Sequence, residues 1–322
     1  MNRSLSLLVL AGLTLTAPEA QAQEETPGFV RTVVPTRPWC LLWNKREYLF
    51  RVDASGSLRT PGTTEFAAID ASFDAWRALS RTCSDFAFTR GPDIQKPWVG
   101  YDRESDANES VITFREQTCE DAAPPEDACW QEDTCSNTYS CWEHGSATIA
   151  LTTSTFTLSA GHVLDADIEF NASERAGAGF LFTTVDSPPC DGAPSTHCVA
   201  TDLQNTLTHE IGHVVGLDHV ANPGSTMEPT APPGETHKRT LDEGTAAGFC
   251  GIYPRNLPPV QCGEPANISR TFQAVNRGSG LGCGAGAGGL LAPAALLSVL
   301  ALLRRRQRAG GLGRPSPPGN DA

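Results

Sequence analysis

The sequence predicts a mixed α/β domain (α+β) on three observations. Phe66, Ile69, Phe73, Trp76 and Leu79 recur at three- and four-residue steps, the spacing that lays one face of a helix on a core. Short runs rich in β-branched and aromatic residues flank that helix, Trp43 to Val52 before it and Ser110 to Phe114 after it. Two further strand-like runs, Ala147 to Phe156 and Val163 to Asn171, meet around Ser159-Ala160-Gly161, which predicts a hairpin.

Taken in chain order, the first 22 residues carry Arg3, an apolar run from Leu5 to Leu15 and the small-x-small triplet Ala20-Gln21-Ala22, the order of features in a secretory signal peptide. A mature chain beginning near Gln23 is expected, and residues 23–257 suit one domain with a full core. Cysteine usage agrees with export. Of the 11 cysteines only Cys283 stands apart, and the even remainder (Cys40, Cys83, Cys119, Cys129, Cys135, Cys141, Cys190, Cys198, Cys250 and Cys262) fits five disulfides in an oxidising compartment. The formal net charge of −13 argues against nucleic acid as a partner and says nothing of a local cleft.

Residues 116–145 hold four of those cysteines together with Pro124, Pro125 and many acidic residues, which reads as a stapled surface insertion. A zinc knuckle fits this stretch less well, because no cysteine pair has the short spacing such sites use. On the later strand, Asp165, Asp167 and Glu169 alternate with Ala166, Ile168 and Phe170. The expected reading is a solvated acidic face on a half-buried strand; calcium is the alternative, without assigned ligands. After Pro254 the composition turns to Pro, Asn and Gly, so residues 258–282 are expected to be a linker.

Chemistry concentrates between Thr201 and Met227. Thr201 and Gln204 have the spacing of a capping box, opening a helix on which Leu203, Leu207 and Ile211 form a core stripe. His209 and His213 lie one turn apart, so both imidazoles reach one ion. Gly216 can end the helix at positive φ, and the turn brings His219 back as a third nitrogen ligand. Three neutral histidines leave the fourth position of a tetrahedral zinc for water, the arrangement of a catalytic site. Glu210, beside His209 but not a ligand, is placed to take the proton of that water as it attacks a peptide carbonyl, and to pass it to the leaving amine.

The extended spacing His209-Glu210-x-x-His213-x-x-Gly216-x-x-His219, followed by Ser225-Thr226-Met227, resembles the signature of the metzincin zinc proteases with their Met-turn. Within that clan, residues 209–219 are most similar to the active-site helix of the matrixins. The resemblance also takes in the helix over 66–79, the strand over 165–171 and a final helix at Leu241 to Tyr253. It implies a twisted, mostly parallel sheet with an antiparallel edge strand bordering the cleft, extended peptide or protein substrates bound along that edge, a small lower subdomain closed by the final helix, and an apolar base under the zinc at Met227.

Three features depart from the family. No Pro-Arg-Cys-Gly segment precedes the domain; Gln261-Cys262-Gly263-Glu264-Pro265 resembles it faintly but lies after the domain, and Cys262 is read as the partner of Cys250. The family's four-ligand structural zinc site has no match, and the cysteine-rich insertion is foreign to it. Catalysis has one rival from another class, a zinc-binding surface or adhesion module of the same fold that has lost turnover; the intact Glu210 argues against it.

Beyond Gly282-Cys283 an uncharged run of about 20 residues, long enough to span a bilayer, ends in Arg304-Arg305-Arg306-Gln307-Arg308. Residues 283–308 resemble the myxobacterial C-terminal sorting tail, which implies processing or modification at Cys283 and display at the cell surface, outer membrane or, after processing, outside the cell; a plain membrane anchor with the domain outside is the rival. Residues 309–322 form a polar tail, and the enzyme is expected to be a monomer with protein substrates as its partners.

Overall fold

A computed structural model describes residues 28–105, 107–174, 179–262 and 279–284. The leader expected over 1–22, the apolar run after Gly284, the arginine cluster and the polar tail lie outside the described residues. Among the described residues no helix is long and apolar enough to cross a membrane.

The elements run β1 (Val30–Arg31), β2 (Glu47–Val52), α1 (Thr64–Thr82), β3 (Ala87–Arg90) and β4 (Ser110–Arg115), then three short helices α2 (Cys119–Ala122), α3 (Cys129–Glu132) and α4 (Cys135–Tyr139). The hairpin β5 (Thr148–Phe156) and β6 (Val163–Asn171) follows, then β7 (Phe182–Thr183), β8 (Thr201–Asp202), α5 (Leu203–Val214), β9 (Leu217–Asp218), a 3-10 turn at His237–Arg239, α6 (Glu243–Ile252) and β10 (Ser279–Gly284). The expected mixed α/β class holds.

The main sheet has the order β10-β5-β6-β4-β2-β3. β2 pairs in parallel with β3 and with β4, β4 pairs in parallel with β6, and β5 runs antiparallel to β6. Parallel strands need long crossovers, and α1 supplies the one between β2 and β3. Its face of Ile69, Phe73 and Trp76 is fully buried, with Phe73 stacked on Phe50 of β2 at 3.9 Å between ring centroids. On the same side lies α5, whose Leu203, Leu207 and Ile211 are also fully buried. The Ser72 hydroxyl and the Trp76 indole N–H of α1 donate to the Gln204 and Thr208 carbonyls of α5, at 3.3 and 3.1 Å. Burial of these apolar side chains, roughly 1.5–3 kcal/mol each, is what fixes α5 against the sheet.

The five disulfides are Cys40–Cys262, Cys83–Cys250, Cys119–Cys141, Cys129–Cys135 and Cys190–Cys198. They suit an exported chain. The pairing of Cys250 with Cys262 is corrected. Cys250 sits on α6, which packs over the end of α1 and so faces Cys83, whereas Gln261 carries its neighbour to the N-terminal segment through hydrogen bonds with both the N–H and the carbonyl of Cys40, at 2.9 and 3.1 Å. Sequence proximity lost to tertiary proximity.

The acidic face of β6 is corrected as well, because Asp165, Asp167 and Glu169 are all buried. The segment around Gly100 and the base of the insertion cover it. Asp167 accepts from the Gly100 and Val111 N–H groups at 2.6 and 2.8 Å, Asp165 from the Ser110 hydroxyl at 2.9 Å, and Glu169 pairs with the buried Arg115 at 2.6 Å. Burial, with mutual repulsion at Asp167, raises the pKa of both aspartates.

The two disulfides of residues 116–145 close a small cluster of their own, with Ala123 and the four cysteines as its buried centre. Finally, Ser279–Gly284, expected as the end of a linker and the start of the tail, pairs with β5 as a strand.

Candidate metal centre

α5 begins one residue later than the capping box predicts. Asp202 is its N-cap, accepting from the Asn205 N–H at 2.7 Å, while Thr201 is drawn into parallel pairing with Phe182 and cannot cap. Arg239 donates to the same carboxylate at 2.8 Å. At the other end the Trp43 indole N–H donates to the Val214 carbonyl at 2.8 Å, and the Tyr253 hydroxyl to the Val215 carbonyl at 3.2 Å, satisfying acceptors that the helix leaves open. Gly216 then takes φ +91°, as expected of it, and a Cβ there would stand 2.3 Å from the Leu41 carbonyl oxygen.

After that turn β9 is caught by β1, Val30 opposite Asp218 and Arg31 opposite Leu217, with the Thr32 N–H donating to the Gly216 carbonyl at 3.0 Å. This return brings His219 to the two helical histidines. The three Nε2 atoms stand 3.1 Å apart for His209 and His213, and 3.2 Å from each of these to His219. A tetrahedron with zinc–nitrogen bonds of about 2.0–2.1 Å has edges of roughly 3.3 Å, so the three nitrogens already mark three of its corners. These histidines are the His/Cys/Asp/Glu group able to hold an ion among the described residues.

The opposite ring nitrogens fix the tautomers. His209 Nδ1 donates to the Thr226 carbonyl at 2.6 Å and His213 Nδ1 to the Leu217 carbonyl at 2.9 Å, which turns both Nε2 lone pairs inward. Burial depresses all three pKa values, with neighbouring imidazoles adding to it for His209 and His219. His213 is pushed down to about 4, His219 to about 2, and His209 well below its usual value. The histidines are therefore neutral donors at physiological pH, the state a metal needs.

Glu210 is fully buried, and its Oε2 accepts from the Thr152 hydroxyl of β5 at 2.6 Å. Thr152 therefore ties the carboxylate to the sheet. Nothing in its local sequence marks it; it is 58 residues from Glu210 and owes its place to the β5–α5 packing.

Met227 is buried against Gly212 of α5. A Cβ added to Gly212 would stand 2.2 Å from its sulfur, so the glycine between His209 and His213 is what lets the thioether approach the helix. The turn that carries Met227 is anchored by Asp242, which caps α6 through the Gly244 and Thr245 N–H groups and also accepts from the Thr226 N–H at 2.7 Å and the Ser225 hydroxyl at 3.1 Å. Below it, the fully buried Lys238 ammonium donates to the Glu228 and Thr230 carbonyls at 3.0 and 2.6 Å and pairs with Glu235 at 3.1 Å, folding residues 228–238 back on the start of α5. Sequence reasoning missed Asp242 and Lys238. An Asp directly before a helix was the available signal for the first; the second had none.

Cys283, outside this motif, lies opposite Ala150 in the β10–β5 pairing. Residues 42–254, which contain the whole cluster, match the family described as Matrixin. No curated protein matches the chain.

Proposed function

The chain belongs to the matrixin family of zinc-dependent metallopeptidases, and on that premise we propose that it is an exported endopeptidase in which His209, His213 and His219 hold zinc and Glu210 is the general base. The observation that carries the reading is the convergence of three neutral Nε2 atoms at tetrahedral spacing with a buried carboxylate on the helix that bears two of them. Bound zinc supplies Lewis acidity toward the substrate carbonyl and toward water. Glu210 takes the proton of the attacking water and delivers it to the departing amine nitrogen, and the Thr152 hydroxyl holds that carboxylate in place between the two transfers. Met227 closes the floor of the site. The substrate backbone lies extended along β5, drawing its affinity from main-chain hydrogen bonds.

The substrates proposed are extracellular proteins, cut by a monomeric enzyme. The tail beyond Cys283 is proposed as the surface-sorting or anchoring segment, with Cys283 the processing or modification point. Calcium has no ligand set proposed.

The test is digestion of a mixed peptide library by the oxidised chain from Gln23, with and without a zinc chelator, beside the Glu210→Ala form. Cleavage that is lost on chelation and lost in the variant, with zinc content kept in the variant, supports the reading. Zinc bound by the native chain without cleavage of any peptide points instead to latency or to the non-catalytic module.

A further inference from the structure

β5 is the outer strand of the sheet formed by residues 47–171, and its side away from β6 borders the metal centre. The Thr152 hydroxyl on this strand holds the Glu210 carboxylate, and α5, which carries His209 and His213, touches the strand beyond it. That next strand is β10, the chain's own residues Ser279–Gly284. It runs antiparallel to β5 with Ser279 opposite Ser154, Gly280 opposite Thr153, Leu281 opposite Thr152 and Gly282 opposite Leu151. The backbone at 280–282 therefore passes the position at which the proposed base is fixed.

We propose that Ser279–Gly284 stands in the place of the substrate strand, so that the chain carries its own blocker of the cleft. This rests on the endopeptidase reading and adds its regulation. Pairing through the main chain is the mode by which an extended peptide joins a sheet edge, and it places few demands on side chains. Alternate positions 280, 282 and 284 are glycine, so one face of the strand is bare and can lie close to whatever it covers.

A second, independent feature makes this segment an efficient competitor. The Cys40–Cys262 disulfide and the Gln261 amide, which donates to the Ala160 carbonyl at 2.7 Å, pin residue 262 beside the turn that follows β5. β10 begins opposite Ser154, close to that same end of β5. The connection over residues 263–278, at about 3.3–3.6 Å per extended residue, reaches across this gap with ample slack. Such a tether presents the blocker at an effective concentration on the order of millimolar, which a free peptide must exceed or outbind. Cutting the chain after Cys262, or engaging the tail elsewhere, would withdraw it.

The decisive comparison is between the oxidised chain from Gln23 to Ala322 and the same chain ending at Cys262, each also as Glu210→Ala so that no self-cleavage intervenes. Amide hydrogen exchange over 148–156 reads occupancy of the β5 edge without any reliance on hydrolysis. Truncation is expected to speed that exchange, and a synthetic peptide of residues 277–286 added in trans to slow it again. In the Glu210→Ala pair, a fluorescent library peptide is expected to bind the truncated form at least about fivefold more tightly, and in the active pair the apparent KM to fall by a similar factor with kcat unchanged. Cys40→Ser/Cys262→Ser in the full-length chain should fall between the two. Equal exchange in both lengths overturns the proposal. So does faster exchange with unchanged peptide binding, since β10 would then be only a cover for an aggregation-prone edge. Absence of hydrolysis by both lengths, with the binding difference present, sinks the peptidase reading and leaves the occupancy standing.

Discussion

The candidate metal centre and the cysteine-rich segment over 116–145 are held in opposite ways. Around the histidines the backbone is fixed by packing: α5 is buried along its apolar stripe, and its ends are tied to residues far apart in sequence, Trp43 and Tyr253 at one end and Arg239, through the cap Asp202, at the other. Residues 116–145 have almost no apolar core, and their stability comes from Cys119–Cys141 and Cys129–Cys135. One polar joint connects them to the sheet. Arg115 pairs with Glu169, His144 stands 3.6 Å from the same carboxylate, and Asn137 exchanges two hydrogen bonds with the Val99 backbone, at 2.9 and 2.8 Å. The contrast teaches that a segment too small and acidic to bury a core can still be ordered against a sheet, through crosslinks within it and a charged bolt beneath it.

Four changes break or sharpen this contrast. The largest effect is expected at the candidate metal centre: His213→Ala removes one of the three proposed ligands and should abolish chelator-sensitive cleavage and stoichiometric zinc, read by hydrolysis and metal analysis, while residues 116–145 stay resistant to a probe protease.

Next, Arg115→Ala leaves Glu169 buried without its cation, and a loss of about 3–5 kcal/mol is expected by chemical denaturation. The wild-type joint also has a pH signature. Burial opposes ionisation of Glu169, but His144 and Arg115 outweigh it and lower its pKa. A depressed pKa gives stability that is present above the unfolded value, near 4.5, and lost as pH falls through the folded one. Limited proteolysis across acidic pH should therefore cut residues 116–145 before the main domain. Simultaneous cutting of both would show that the joint is not the weak link.

A smaller effect is expected from Cys119→Ser/Cys141→Ser. The disulfide closes a loop of sequence separation 22, for which chain entropy gives about 3 kcal/mol. The loss should appear as local cleavage within 116–145 with zinc retained; loss of zinc would show that the insertion supports the cleft.

The smallest is Asp165→Asn. The raised pKa values of Asp165 and Asp167 mean that their contribution to stability is full below the unfolded pKa, near 3.8, and is lost as pH rises through the folded values. The amide keeps the acceptor for Ser110 and removes the second charge. Melting temperature should rise by a few degrees at pH 8 and change little at pH 4, so an equal change at both would discard the shared-charge account.

Much of the metal centre was legible because it is local. Helical spacing puts His209 and His213 on one face, and a positive-φ glycine three residues on is what lets the chain return with His219. The main strands and α1 were legible from periodicity. The N-cap was misplaced by one residue because β7 claims Thr201, a partner that sequence spacing does not display.

Sequence by itself thus determined the candidate ligands, the candidate base, the α/β class and the even cysteine count, since each depends on residue type and short-range period. Tertiary structure decided what depends on contact between distant segments: Thr152 against Glu210, Asp242 under Met227, the partners of Cys250 and Cys262, the burial of Asp165, Asp167 and Glu169, and the seat of Ser279–Gly284 on β5. The physical reason is that a strand's polar alternation reads the same whether water or another segment covers it, and only the packed chain distinguishes the two.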